Sequence, residues 1–178
     1  MKTILLLRHA KSDWDNPALA DFERPLAKRG LKDAPRMGAV LSSFEIAPDR
    51  ILASPARRAK ETAELVAEAC GYKKAIEWHE AFYGGNAEDL IAALQRLPNS
   101  VEQVLLVGHN PTMEETVSSL ISGDEGQPII IMPTAALACL QVDVRDWAEL
   151  ELGEGVLQWF LIPRLVKAIQ QEAEEGAA

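Results

Sequence analysis

Three short aliphatic runs, Thr3–Leu7, Arg50–Ala53 and Gln103–Val107, each end abruptly in a polar cluster. Runs this short, apolar without polar alternation, read as strands buried on both faces of a parallel sheet. The stretches between them carry helical signals. A helix is expected over Lys28–Phe44, with Pro35 either kinking it or delaying its start. Ser54 followed by Pro55 is a cap with a first-turn proline, predicting a helix to about Cys70, where Gly71 stops it. Ala75–Trp78 is a further candidate strand. Asn86 caps a helix to Leu97 that Pro98 ends, and Asn110-Pro111 repeats the cap-plus-proline device for a helix to about Ile121.

The last third is less regular. Ala135–Val142 and Val156–Ile162 read as strands with no helix between them, which predicts an antiparallel sheet edge. Ile129–Met132 is apolar but fits either pattern. A final helix, Pro163–Gln171, leads into an acidic tail, Glu172–Ala178, expected to fray. The pattern predicts a three-layer α/β/α domain whose mostly parallel central sheet carries an antiparallel edge. Without repeat, low-complexity block or linker, residues 1–178 are expected to form a single domain.

Composition narrows the partners. The formal net charge is −9 over 178 residues, which argues against nucleic acid or an anionic membrane as the main partner. Cys70 and Cys139 are far apart and fit no metal or redox spacing, so they read as reduced structural cysteines. With three histidines in all, no metal and no cofactor is expected. Gly153-Glu154-Gly155 lacks a βαβ setting and no Walker loop occurs, so nucleotide binding has no support. No window reaches the length of a membrane span and Ile4–Leu7 is too short for a signal core, so a cytoplasmic monomer is the expectation.

Against that acidic background the cations after the strands stand out. Arg8-His9-Ala10 follows the first, Ser54-Pro55-Ala56-Arg57-Arg58 the second and Gly108-His109-Asn110 the third. Ligands of open α/β sheets bind at the carboxyl ends of the strands, so these groups converge. Two histidines with arginines suit a phosphoryl dianion: guanidinium forks grip its oxygens and a neutral imidazole attacks phosphorus. His9 is assigned attack because Arg8 adjoins it. Arg58, in the first turn of its helix, adds the favourable helix terminus.

These residues resemble the histidine phosphatase superfamily, whose fold is phosphoglycerate mutase-like. Arg8-His9-Ala10 is similar to its Arg-His-Gly signature, Ser54–Thr62 to its second motif, and Gly108-His109-Asn110 to its third. The resemblance implies His9 as phosphorylated nucleophile, with Arg8, Arg58 and His109 completing the pocket, and favours Arg58 over Arg57. Arg8–Ser12 and Arg24-Pro25-Leu26 before Gly30 look most like the SixA-type phosphohistidine phosphatases. Ala10 departs from the common Gly. Glu80 falls roughly where relatives place a general acid, although its flanks match poorly.

The expected function is hydrolysis of a phosphoryl group, with phosphohistidine on a protein as favoured substrate. A small phosphate ester is the alternative substrate, and a non-catalytic phosphohistidine-binding module is a third reading. Lys28, Lys32 and Arg36 recur every fourth residue and read as a solvated face, or a stripe for an acidic partner. Trp14 and Phe22 either cover the site or anchor the long first loop. His79 has no partner motif.

Overall fold

The computed structural model describes residues 1–124 and 128–176. Six strands form one sheet: β1 (Lys2–Arg8), β2 (Arg50–Ala53), β3 (Glu77–Trp78), β4 (Gln103–Gly108), β5 (Leu137–Val142) and β6 (Val156–Leu161). Their order is β3-β2-β4-β1-β5-β6. β1, β4, β2 and β3 pair in parallel, whereas β5 runs antiparallel to both β1 and β6. The helices are α1 (Gly30–Ser43), α2 (Arg57–Ala69), the single turn α3 (Ala81–Gly84), α4 (Ala87–Gln95), α5 (Thr112–Ser122) and α6 (Pro163–Gly176).

Side chains of a strand alternate between faces, and that builds two cores from one apolar run. Ile4 and Leu6 of β1 join Val104 and Leu106 of β4 beneath α4 and α5. Leu5 and Leu7 join Leu105 and Val107 beneath α1, α2 and α6. All eight are fully buried, which is why these strands show no polar alternation. The result is the expected α/β/α sandwich with an antiparallel edge.

Several boundaries differ from expectation, each for a local reason. α1 begins before Pro35, so the proline does not delay it. Leu31, whose carbonyl loses its N–H partner to that proline, is exposed. α2 starts at Arg57 behind Ala56, and α5 at Thr112 behind Pro111, with the Asn110-Pro111 peptide cis. Neither expected cap borders its helix: Ser54 Oγ accepts the Ala56 N–H and also bonds His109, and Asn110 Nδ2 donates to the Met132 carbonyl. Asn86 does cap α4, in a reciprocal box with Asp89.

Further along, Ala135 takes a left-handed φ of 60°, so β5 starts at Leu137 rather than Ala135. β3 keeps only Glu77–Trp78 of the expected Ala75–Trp78. Ile129–Met132 forms no strand: Ile129 and Ile131 are exposed and Met132 is buried. α6 extends past its expected end at Gln171 to Gly176, through strong helix formers. Residues 177 and 178 lie outside the described residues. Among the described residues no helix is long and apolar enough to cross a membrane.

Candidate active site

Sheet register aligns the three strand ends. Arg8 pairs with Gly108 and Ala53 with Val107. The ladder then extends one step, with His9 N–H donating to the Gly108 carbonyl at 2.9 Å and Ser54 N–H to the Val107 carbonyl at 3.0 Å. His9, Ser54 and His109 therefore emerge side by side at the carboxyl edge. The two imidazole centroids are 4.9 Å apart.

His9 is 8% exposed. Its Nδ1 lies 2.7 Å from the Ala10 carbonyl, and its Nε2 accepts from Arg58 Nε at 3.3 Å. A carbonyl only accepts and a guanidinium only donates, so the proton sits on Nδ1 and Nε2 holds a lone pair. Burial pushes the His9 pKa down to about 4; the Ala10 carbonyl opposes the shift, and the charges of Arg58 and Arg8 reinforce it. His9 is neutral at neutral pH.

His109 holds its Nε2 2.8 Å from Ser54 Oγ, while its Nδ1 is buried without a partner among the described residues. Burial foremost, then the His9 and Arg58 charges, lowers its pKa to about 3. Ser54 Oγ also accepts the Ala56 N–H at 3.3 Å. Its hydroxyl proton is available to His109 Nε2, and in that tautomer the neutral ring carries its proton on Nδ1.

Arg58 leaves the first turn of α2 and is 8% exposed. Its Nη1 donates to the Asp21 carbonyl at 2.6 Å, and its Nη2 to the Asp21 carboxylate at 2.9 Å. Tyr83 Oη donates to the same carboxylate oxygen at 3.0 Å. Burial pushes the Asp21 carboxyl up, but Arg58 and the Tyr83 hydroxyl outweigh it and hold it below the ordinary range. Tyr83 stands edge-on to His109, and Phe22 edge-on to Tyr83. Asp21, Phe22 and Tyr83 thus form a cover over Arg58 and His109. Trp14 stays outside it, exposed beneath the Arg24 guanidinium.

Arg8 donates from Nη1 to the Met132 carbonyl at 2.7 Å, and its buried Nε has no partner among the described residues. Burial lowers its pKa against the pull of Glu114. Glu114 in turn accepts the Met132 N–H at 2.7 Å, which fixes the peptide that Arg8 grips. On the other side, Thr62 Oγ1 accepts the Ala10 N–H at 3.0 Å and donates to the Arg58 carbonyl at 2.6 Å. Ala10 is not among the positive-φ residues, so alanine fits this position without backbone strain.

Arg8, His9, Arg58 and His109 come together, therefore. Arg57 points away, paired with Glu61 at 2.8 Å on the exposed face of α2. Glu80 is exposed, ahead of α3, and its side chain makes no hydrogen bond or ion pair among the described residues. His79 stacks on Phe82 instead of joining the pocket. Asp21 and Tyr83 were not singled out by sequence, since a loop aspartate and a tyrosine carry no spacing signal. No cluster of three or more potential metal ligands occurs among the described residues.

The profile of the histidine phosphatase superfamily (branch 1) matches residues 4–91. An uncharacterised protein of Mycobacterium tuberculosis is 33% identical over 164 residues, covering 89% of this chain and 100% of its own. Phosphohistidine phosphatase SixA of Escherichia coli is 29% identical over 171 residues, covering 93% and 99%. The structure of the protein histidine phosphatase SixA complexed with tungstate superposes with a TM-score of 0.79 at 26% identity, covering 92% of this chain and 99% of that one. Paired histidines at level strand ends, in this sheet order and beside these relatives, leave one assignment: the chain belongs to the histidine phosphatase superfamily and is a phosphatase with the SixA fold.

Proposed function

We propose that this phosphatase hydrolyses phosphohistidine on a partner protein through a phosphoryl group carried transiently on His9. The observation that carries the reading is the state of His9: neutral, with Nδ1–H tied to the Ala10 carbonyl and the Nε2 lone pair beside Arg58. A nucleophilic imidazole needs that tautomer, and the Nε2 lone pair is released for attack when Arg58 Nε turns from it to the phosphoryl oxygens. The Arg8 Nε and the His109 Nδ1, both buried and unpartnered, are donors suited to phosphoryl oxygens. SixA's name and its tungstate complex support the same substrate chemistry.

In the first step His9 Nε2 donates its lone pair to phosphorus, and the substrate P–N bond breaks with its electrons moving onto the departing imidazole. Water then attacks phosphorus, the bond to His9 breaks, and Nε2 recovers its lone pair as phosphate leaves. Arg8, Arg58 and His109 hold the equatorial oxygens through both steps. To do so, Arg58 exchanges part of its hold on Asp21 for the phosphoryl group.

A departing imidazole already protonated on its far nitrogen needs no acid, whereas an alkoxide does. Exposed Glu80, without a partner, supports a phosphoramidate over a sugar phosphate. Brief incubation with a phosphohistidine peptide should leave an acid-labile, base-stable phosphate on the protein. His9→Ala should lose both label and turnover. A label that survives in His9→Ala, or sits on serine or cysteine, overturns the mechanism. Efficient turnover of an unactivated sugar phosphate that collapses in Glu80→Gln would make a small-molecule phosphomonoesterase the better answer.

A further inference from the structure

Where α1 meets α6 the surface opens into a cleft of about 670 Å³. Its walls carry Arg29, Lys32 and Arg36 from one side and Arg164 and Lys167 from the other, against a single carboxylate, Asp33. Asp33 is already held by Arg36 at 2.8 Å and by Arg29 at 3.4 Å. The side chains of Lys32, Arg164 and Lys167 are exposed and have no partner among the described residues. Five cations converging on one cleft is an unusual concentration in a chain of net charge −9. Of Lys28, Lys32 and Arg36, read from sequence as a solvated face or a stripe, the last two line the cleft, with Arg29 in place of Lys28 and α6 opposite.

The cleft adjoins the catalytic edge through shared backbone. Pro133 and Thr134 line it. They are flanked by Met132, whose carbonyl binds Arg8, and Ala135, whose N–H donates to the Arg8 and His9 carbonyls at 3.1 Å. At the other wall, a Cβ on Gly30 would stand 2.3 Å from the Lys11 carbonyl, so α1 starts hard against the loop that follows His9. A chain lying in the cleft rests on the segments that support both catalytic residues.

We propose that this cleft docks an acidic segment of the phosphoprotein substrate, an inference that rests on the phosphohistidine reading above. The volume far exceeds one phosphate and accommodates several side chains. Ile162, Pro133 and Pro163 give an apolar floor under the cationic rim, which suits a polypeptide with mixed acidic and apolar side chains. A uniform polyanion would meet the negative field of the rest of the surface.

The test compares two phosphohistidine peptides, one flanked by Asp and Glu and one by Gln and Ser, with an aryl phosphate as a third substrate. The triple variant Lys32→Glu/Arg164→Glu/Lys167→Glu should lose about tenfold in kcat/KM on the acidic peptide, carried by KM. Its turnover of the other two substrates should match the parent. Added salt should narrow the gap between the peptides in the parent, and in the charge-reversed variant should act in the opposite sense, raising kcat/KM on the acidic peptide by screening its repulsion. Equal kcat/KM for both peptides in the parent, or an unchanged ratio in the variant, overturns the docking site.

Failure of the underlying reading looks different: aryl phosphate is turned over while neither phosphohistidine peptide is. Docking is then read directly, from fluorescence anisotropy of the labelled, unphosphorylated acidic peptide. Binding by the parent and loss in the triple variant sustains the cleft as an acidic-peptide site. Absence of binding, or tighter binding of a single-stranded DNA oligomer, overturns it.

Discussion

At His9 the question is which ring nitrogen carries the proton, and two neighbours decide it from opposite sides. The Ala10 carbonyl takes the Nδ1 proton and Arg58 Nε faces Nε2, so the tautomer is fixed before any substrate arrives. Under the proposed mechanism Arg58 is then both a neighbour of the nucleophile and a grip on the phosphoryl oxygens. Removing one such donor typically costs about 10²–10³ in rate, so Arg58→Ala should lose at least that order in turnover. Arg57, engaged with Glu61 on the surface, is the control: Arg57→Ala should stay within several-fold of the parent. A larger loss at Arg57 would mean that the wrong arginine of the pair has been placed in the pocket. Asp21 holds the same guanidinium that the phosphoryl group must win, so its carboxylate competes with substrate. Asp21→Asn should make inorganic phosphate a several-fold tighter inhibitor, measured against an aryl phosphate. Unchanged or weaker inhibition would show that Asp21 is only a support for Arg58.

Among the elements, β1, β2 and β4 carry the site because their register brings three chain ends level, and α2 locks to the first of them. Thr62 makes that lock: one hydroxyl bonds the Ala10 N–H and the Arg58 carbonyl. Thr62→Val would keep the shape and strand a buried N–H, a loss of about 1–3 kcal/mol in urea-unfolding stability, with turnover falling beside it. Stability equal to the parent would deny Thr62 this part. Much of this was readable in the sequence, because uninterrupted apolar runs have few homes and polar groups straight after them have one. Arg8, His9 and His109 were singled out that way as candidates, and Arg58 over Arg57 by the resemblance of Ser54–Thr62 to a family motif. What escaped were uses of a residue set by long-range contacts. Ser54 and Asn110 read as caps by local grammar, yet the fold ties their side chains to His109 and Met132 as well, Ser54 keeping a local bond to the Ala56 N–H. Asp21 and Tyr83 lie 62 positions apart and meet only through the tertiary structure. Lys32 was visible as part of a helix face, but α6, which closes the cleft opposite it, bore no local sign of that role.

For the molecule as a whole, holding two neutral histidines in a buried site makes folding sensitive to pH. An unfolded chain takes up protons on both near their ordinary pKa of 6.5, whereas the folded values are about 4 for His9 and about 3 for His109. Between pH 6.5 and about 4 the unfolded state therefore binds more protons, and stability must fall as pH is lowered through that window. The size is roughly 2 kcal/mol per histidine between pH 7 and pH 5. Asp21 acts in the same direction but outside this window. Its depressed carboxyl withdraws stability only as pH falls below the ordinary carboxylate range. Urea unfolding of the parent at the two pH values should show the combined loss, and His109→Gln should show about half of it even if its stability at pH 7 is lower. The slope rather than the absolute stability is the readout, so a destabilised variant remains informative. A His109→Gln slope equal to the parent's would mean that His109 is not held neutral by burial. The proton on its Nδ1 would then have to come from a charged ring rather than from the Ser54 hydroxyl bond.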